Sequence, residues 1–338
     1  MEKEILKNIV DELNVSLKEK GKFIKLSLDD YNPVEISKEH FHEIEDVSYG
    51  NKIAFVDGGN AEILKAANFS LQLIRVYYTF YKDNKRIKNK RYEFYILVKS
   101  FEKDGKILYK TKTFGDKILN DLEFDSFDRT ITQGVNRADV SFIGNVARRF
   151  AELHAASEIM VELGKNDVIV LDGSLETKYT YETKILNELH DKSDRAGVVL
   201  CGFSKTCELL TDKGVSFAGV LSDIQPEGSW YYYPAAKMND FEIVFVKLNQ
   251  KSGYIFRLDV NKKEKIDVVL RLLKNNSNDP VFLGYPYGLV EADRFARVSN
   301  RELGILKTKI MAKAGKEWKN INNILKTKDS HSVLDNIG

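Results

Sequence analysis

The chain has 338 residues, 43% hydrophobic and 11% aromatic, which suffices for a filled core and is too apolar for a disordered chain. Lys and Arg number 52 against 50 Asp and Glu, a formal net charge of +2; this excludes a globally basic histone-like protein and confines any nucleic-acid surface to a local patch. Two cysteines, Cys201 and Cys207, exclude a disulfide scaffold and a four-cysteine zinc site and fit a reducing cytoplasm.

The N-terminal residues are charged throughout, without the apolar core of a secretory signal, and no run approaches the roughly 18–20 apolar residues of a membrane span. A cytoplasmic protein without membrane contact is expected. Ile5, Ile9, Val10, Leu13 and Leu17 recur at helical spacing and predict an amphipathic helix over 3–18. Phe23, Ile24, Leu26 and Leu28 suggest a short strand, and 29–50 is polar and turn-rich, with His40 and His42. IAFVDGGN at 53–60 reads as a buried strand ending in a tight turn. The β-branched and aromatic runs 71–81 and 92–101 predict two strands joined by a polar loop, giving three antiparallel strands in succession. Next come a long helix over 142–163, a strand over 168–174 ending in Asp-Gly, a helix over 180–190 and a strand over 196–205. Further strands are expected at 216–221, 241–248 and 253–260, a strand or extended segment at 280–286, and helices at 265–274 and 289–300. Repeats, low-complexity tracts and linker-like composition shifts are lacking, so the expected organisation is an N-terminal extension, 1–50, and one large domain, 51–338.

AFVDGG and IVLDGS are alike. In each, a buried apolar strand runs into Asp and then Gly, which leaves the carboxylate accessible at a rigid strand end. Two such groups at one sheet edge, Asp57 and Asp172, can bind a hard divalent cation; the plainer alternative is a pair of turn signals. On the 142–163 helix, Val146, Phe150, Leu153, Ala156, Ile159, Met160, Val161 and Leu163 fill one arc. Arg149 and Glu152 fall inside that arc, whereas Glu158 and Glu162 fall outside it. A carboxylate on a core-facing stripe is costly unless paired or metal-bound, so Glu152 either pairs with Arg149 or reaches the cation. Asp293 likewise shares a helical face with Leu289, Ala292 and Ala296. Tyr285, just before that helix, could meet a phosphate or be an ordinary half-buried aromatic.

From Arg294 to Lys328 ten Lys/Arg face only Glu302 and Glu317, a formal local net of +8 that suits a phosphate backbone, or else a solvated helical tail. The 82–91 segment, with Lys82, Lys85, Arg86, Lys88, Lys90 and Arg91, is a weaker basic patch. No P-loop, no G-x-G-x-x-G after a strand and no G-x-S-x-G elbow occurs, so the chain is not itself an ATP-driven motor of the P-loop type.

Taken in order, AFVDGG at 54–59, RRFAELHAA at 148–156, VIVLDGSL at 168–175, GFSK at 202–205 and GYPYGLVEADRFA at 284–296 resemble the NurA nucleases, DNA-end-processing partners of HerA-type hexameric translocases. The resemblance spans about 51–338. It implies an α/β, RNase H-like mixed-sheet core with flanking helices, here with an N-terminal helical extension. It also implies a homodimer that works with a HerA-like ATPase in DNA end resection and double-strand break repair, and Mn²⁺-dependent cleavage of single- or double-stranded DNA ends. Asp57 and Asp172 match the family's two strand-end aspartates, and Glu152 its helix glutamate, with Glu158 as a rival. Tyr285 matches the tyrosine of Gly-Tyr-Pro. Where some members carry a histidine eight residues later, this chain has Asp293, and His331 is the residue that could compensate. The implied metal ligands are Asp57, Glu152, Asp172 and Asp293 around two ions, Mn²⁺ with Mg²⁺ as the substitute, roughly 3.5–4 Å apart. Arg149, Lys205, Arg294, Arg297, Lys307, Lys309 and Lys313 make up the expected DNA contacts. Two alternatives stay open: a non-catalytic DNA-binding scaffold subunit, and an RNase H-like nuclease acting on RNA.

Overall fold

The structure, a computed structural model, describes residues 2–16, 20–26, 31–46, 50–238 and 240–326. Helix α1 (Glu2–Ser16) precedes three short strands, β1 (Ile24–Lys25), β2 (Asn32–Pro33) and β3 (Phe41–Glu43). Four long strands follow: β4 (Lys52–Ala66), β5 (Phe69–Lys82), β6 (Lys85–Lys103) and β7 (Lys106–Gly115), with β8 (Glu123–Asp125) at their edge. Then come α2 (Ile143–Ile159), β9 (Val168–Asp172), α3 (Glu182–Ala196), β10 (Val199–Ser204), β11 (Leu210–Thr211) and α4 (Phe217–Ile224). The rest is β12 (Trp230–Lys237), β13 (Glu242–Lys247), β14 (Phe256–Val260), α5 (Ile266–Asn275), α6 (Tyr287–Ala296), α7 (Asn300–Ala314) and α8 (Trp318–Lys326).

Twelve strands form one sheet in the order β2-β12-β13-β14-β10-β9-β4-β5-β6-β7-β8, with β3 also on β12. Only the centre is parallel: β9 pairs in parallel with both β4 and β10. Parallel strands are covered on both faces, which explains why Val168, Ile169, Val170 and Leu171 are all buried and their sequence runs apolar without alternation. Successive side chains still point to opposite faces. Ala54, Val56, Ile169 and Leu171 meet α2 through Val146, Phe150 and Leu153. Ile53, Phe55, Val168 and Val170 meet α5 and α6 through Val269, Leu270 and Leu289. Each such fully buried aliphatic or aromatic side chain contributes roughly 1.5–3 kcal/mol, so the two helical layers hold the central strand ends in place. Helices α7 and α8 lie over β4–β6, where Leu303, Leu306, Ile310 and Trp318 pack around Leu73 and Tyr95. Arg75 fastens this layer by donating to Glu93 at 2.7 Å and to Glu302.

The α/β mixed-sheet core with flanking helices is the expected one, and β4, β5 and β6 are the three successive antiparallel strands. Several local expectations are corrected. Strand β4 does not turn at Asp57-Gly58-Gly59 but runs on to Ala66. A Cβ on Gly58 would stand 2.6 Å from Glu152 Oε1, and one on Gly59 would stand 2.4 Å from the Ala296 carbonyl oxygen. These glycines let α2 and the end of α6 approach the strand from its two faces; they make no bend. The polar loop of 82–91 shrinks to Asp83-Asn84, both at positive φ, as a two-residue hairpin turn of type I′ requires, and 85–91 belongs to β6. Residues 216–221, read as a strand, start α4, whose first turn is capped by the Ser216 hydroxyl accepting from the Gly219 N–H. Residues 280–286 form no strand, and Val161 is exposed rather than on the buried arc of α2. Helix α1 forms as expected, with Ile5, Ile9 and Leu13 about half exposed; Leu17 and Leu28 lie outside the described residues.

Candidate active site

Asp57 and Asp172 lie on adjacent parallel strands with the parity of Phe55 and Val170, so both carboxylates face the α5–α6 side of the sheet. Asp293 comes down onto them from α6. Lys205, one residue past β10, completes the group. Its Nζ stands 2.9 Å from Asp172, 3.1 Å from Asp293 and 3.8 Å from Asp57. The three carboxylates form a graded well: the Asp57 side chain is 4% exposed, Asp172 19% and Asp293 35%. Glu152 arrives from the opposite layer, on α2. It is buried against Gly58, and its Oε1 accepts from Arg148 at 2.6 Å; Arg148 also donates to the Gly58 carbonyl at 3.2 Å.

The electrostatics follow from this crowding. Burial, then the Asp172 and Glu152 charges, push the Asp57 carboxyl up to about 8, against the pull of Lys205. Burial also raises Glu152, with Arg148 and Arg149 opposing. Lys205 is raised: burial works against its charge, but Asp172 and Asp57 outweigh it and keep the ammonium protonated. Tyr285 is buried, and its hydroxyl lies beside Asp172 without a well-formed hydrogen bond to it. Burial holds that hydroxyl neutral, reinforced by Asp172, Asp57 and Asp293 beside it.

An all-carboxylate set is the donor chemistry of hard divalent cations. Two cations, Lys205 among the three carboxylates and the exposed Arg297 on Asp293 alone, leave the set one positive charge short, which fits a site that takes up a cation. As the side chains stand, no group of three or more His, Cys, Asp or Glu among the described residues could hold a metal ion; the Lys205 ammonium stands between Asp172 and Asp293. A cavity of about 310 Å³, lined by Gly58, Asn60, Arg148, Asp293 and Arg297, opens beside the group. A larger one of about 810 Å³ lies along α3, lined by Glu176, His190, Asp194 and Asn261; none of these carboxylates belongs to the group around Lys205.

Of the residues expected from sequence, Asp57, Asp172 and Asp293 thus converge, with Glu152 and Tyr285 alongside. Glu158 is exposed, as the helical phase required. Arg149 is corrected on two counts. It pairs not with Glu152 but with the wholly buried Glu182, at 2.7 Å, and donates to the Ser174 carbonyl at 3.0 Å; a buried, spent guanidinium offers DNA nothing. Lys205, expected as a DNA contact, sits among the carboxylates. Arg294, Arg297, Lys307, Lys309 and Lys313 are exposed along α6 and α7, with Arg297 ion-paired to Asp293 at 2.8 Å. His331 lies outside the described residues. Arg148 was missed; its i, i+4 spacing to Glu152 was the available signal, and the neighbouring Arg149 drew the pairing instead.

With this geometry in view, comparison with known proteins is informative. Residues 183–298 match the family model of the NurA domain. The resemblance to NurA is borne out there. The matched segment carries Lys205, Tyr285 and Asp293; Asp57, Glu152 and Asp172 precede it. Among solved structures, the fold is similar to that of the NurA nuclease from Sulfolobus solfataricus, at 13% identity and a TM-score of 0.54, covering 93% of this chain and 95% of that one. The catalytic domain of human endonuclease V is a more distant likeness, at 8% identity and a TM-score of 0.39, covering 73% of this chain and 81% of that one. Endonuclease V of Ciona intestinalis, at 11% identity and 0.40, covers 76% and 87%. None of the curated proteins matches. No described helix is long and apolar enough to cross a membrane.

Proposed function

We propose that the chain is a metal-dependent nuclease that hydrolyses phosphodiester bonds in DNA, acting as a homodimer with a HerA-like ATPase in end resection and break repair. The observation that carries this reading is the convergence of Asp57, Asp172 and Asp293 on one point, in a NurA-like fold, with too little positive charge to balance them. Mn²⁺ or Mg²⁺, as a pair of ions, would be held by Asp57, Asp172 and Asp293 with Glu152 at the margin, and would supply Lewis acidity and an activated water.

The chain's own groups have separable tasks. Asp57, deepest and least exposed, anchors; Asp172 and Asp293 close the well from strand and helix. Glu152 is held by Arg148, so its carboxylate cannot swing away from Gly58. Arg148 and Arg297 line the adjoining cavity, where a backbone phosphate would be oriented by guanidinium forks. The exposed cations of α7 extend that surface away from the site and would follow the strand. Tyr285, buried and neutral, is a donor aimed at the carboxylates rather than a surface phosphate contact.

A cleavage assay tests the proposal: single-stranded DNA, duplex DNA and RNA, each with Mn²⁺, Mg²⁺ or chelator, against wild type, Asp57→Asn and Asp172→Asn. Metal-dependent DNA cleavage lost in both variants is expected. Cleavage of RNA alone would favour the RNA-acting alternative, and binding without cleavage the scaffold.

A further inference from the structure

We propose that Lys205 is a resident counter-ion of the site, an ammonium that occupies the carboxylate well until a divalent cation displaces it. The proposal rests on the nuclease reading only in that the displacing ion is the catalytic one.

The argument is geometric. Lys205 is the sole cation of the described residues within ion-pair distance of Asp57 and Asp172, and it also reaches Asp293, which the exposed Arg297 pairs from the outside, so one ammonium links three carboxylates on three elements. Without it, like charges would face one another in a partly buried well, where their repulsion is weakly screened. Lysine suits a removable counter-ion. It is a compact point charge on a flexible four-carbon stem, without the planar fork that fixes arginine to two oxygens. Its side chain is 37% exposed, so the ammonium has a way out to solvent. Its position just past the end of β10 leaves the stem outside the strand ladder. The buried pairs nearby are built differently: Arg149 with Glu182, and Arg257 with Asp259, use arginine, are at most 6% exposed and have nowhere to go. A divalent cation carries twice the charge and accepts several oxygens at once, so it outcompetes the ammonium for this well. The displaced ammonium then stands at the rim, beside the cavity lined by Arg148 and Arg297, with one more positive charge free to meet a phosphate.

Lys205 is therefore a competitor of the metal and not a support for it, and the two roles differ in sign. Isothermal titration of metal-stripped full chain with MnCl₂ alone, without DNA, separates them. Lys205→Met and Lys205→Gln should bind Mn²⁺ at least about tenfold tighter than wild type, because no charge has to be expelled. Lys205→Arg should bind no tighter than wild type. Circular dichroism confirms the fold of each, and the Met and Gln variants substitute for one another if either fails to fold. Unchanged or weaker Mn²⁺ binding in the folded Met or Gln variant overturns the proposal, as does an Arg variant that binds tighter than wild type. Cleavage is not read, so failure here is distinct from failure of the nuclease reading, which falls if wild type cuts no nucleic acid with Mn²⁺.

Discussion

Helix α6 brings two carboxylates to the same face of the sheet, and their surroundings treat them in opposite ways. Glu291 is buried among donors. The hydroxyls of Tyr77 and Tyr81 reach it at 2.7 and 2.6 Å, and Arg86 at 3.1 Å. Burial raises its carboxyl, but those three donors together win and hold it below the usual glutamate range. Asp293, two residues on, has the exposed Arg297 at 2.8 Å but shares the Lys205 ammonium with Asp57 and Asp172, which have no other cation within ion-pair distance among the described residues, and the deepest of that trio is pushed up to about 8. One cluster is a finished structural joint; the other is short of positive charge. Burial alone does not separate a functional carboxylate from a structural one. The ratio of acceptors to local donors does.

The largest effect expected from breaking this contrast is on the open cluster. Asp57→Asn should lower metal-dependent cleavage by at least about 100-fold. The metal-free protein should melt no lower than wild type, since a buried carboxyl that is costly to ionise is replaced by a neutral amide. A variant that cuts normally would show that the charge shortage has no catalytic meaning. In the closed cluster the costs reverse. Glu291→Leu strands two buried hydroxyls and should cost about 2–3 kcal/mol in denaturant unfolding, while cleavage per folded molecule is retained.

Smaller tests sharpen the same distinction at the α7 layer. Glu302 is held below the ordinary glutamate value of 4.5, first by its hydrogen bond from Arg75, which outweighs burial. A depressed carboxyl lends stability that is full above its unfolded value and is lost as pH falls through the folded one. Wild type should therefore exceed Glu302→Gln by at most about 1 kcal/mol at pH 7, and the gap should close below about pH 4.5, followed by thermal melts across pH. A gap that persists at pH 3 means that the ion pair is not its source. Least affected of all should be the chemistry when Lys307, Lys309 and Lys313 become Gln. The salt slope of DNA binding should then fall by about 0.7–0.9 per lost phosphate contact, leaving cleavage of bound DNA intact.

Much of this contrast was readable from residues, though unevenly. Asp57 and Asp172 stood out because each follows an apolar run whose burial on both faces is a local pattern, and the phase of α2 turned Glu152 inward and Glu158 outward. The continuation of β4 through Gly58-Gly59 was hidden, because a glycine pair reads locally as a turn, while here it answers to helices about 90 and 240 residues further along the chain. Residues 216–221 misled for a related reason: a short apolar run fits a strand or a helix, and the Ser216 cap was the deciding signal. Lys205 was legible only as a DNA contact, since a lysine after a strand shows no tie to carboxylates until three of them from separate elements surround it.

The parallel pairing at the heart of the sheet also has a consequence in time. Ile53 meets Val168 across more than a hundred intervening residues, whereas β5, β6 and β7 close on one another through short hairpins. Local hairpins form early, and pairings of high contact order form late. As the chain leaves the ribosome, Asp57 emerges first and waits for Asp172, then Lys205, then Asp293. The well therefore exists only once nearly the whole chain has been made, and truncated or nascent chains carry the scaffold without its cutting edge.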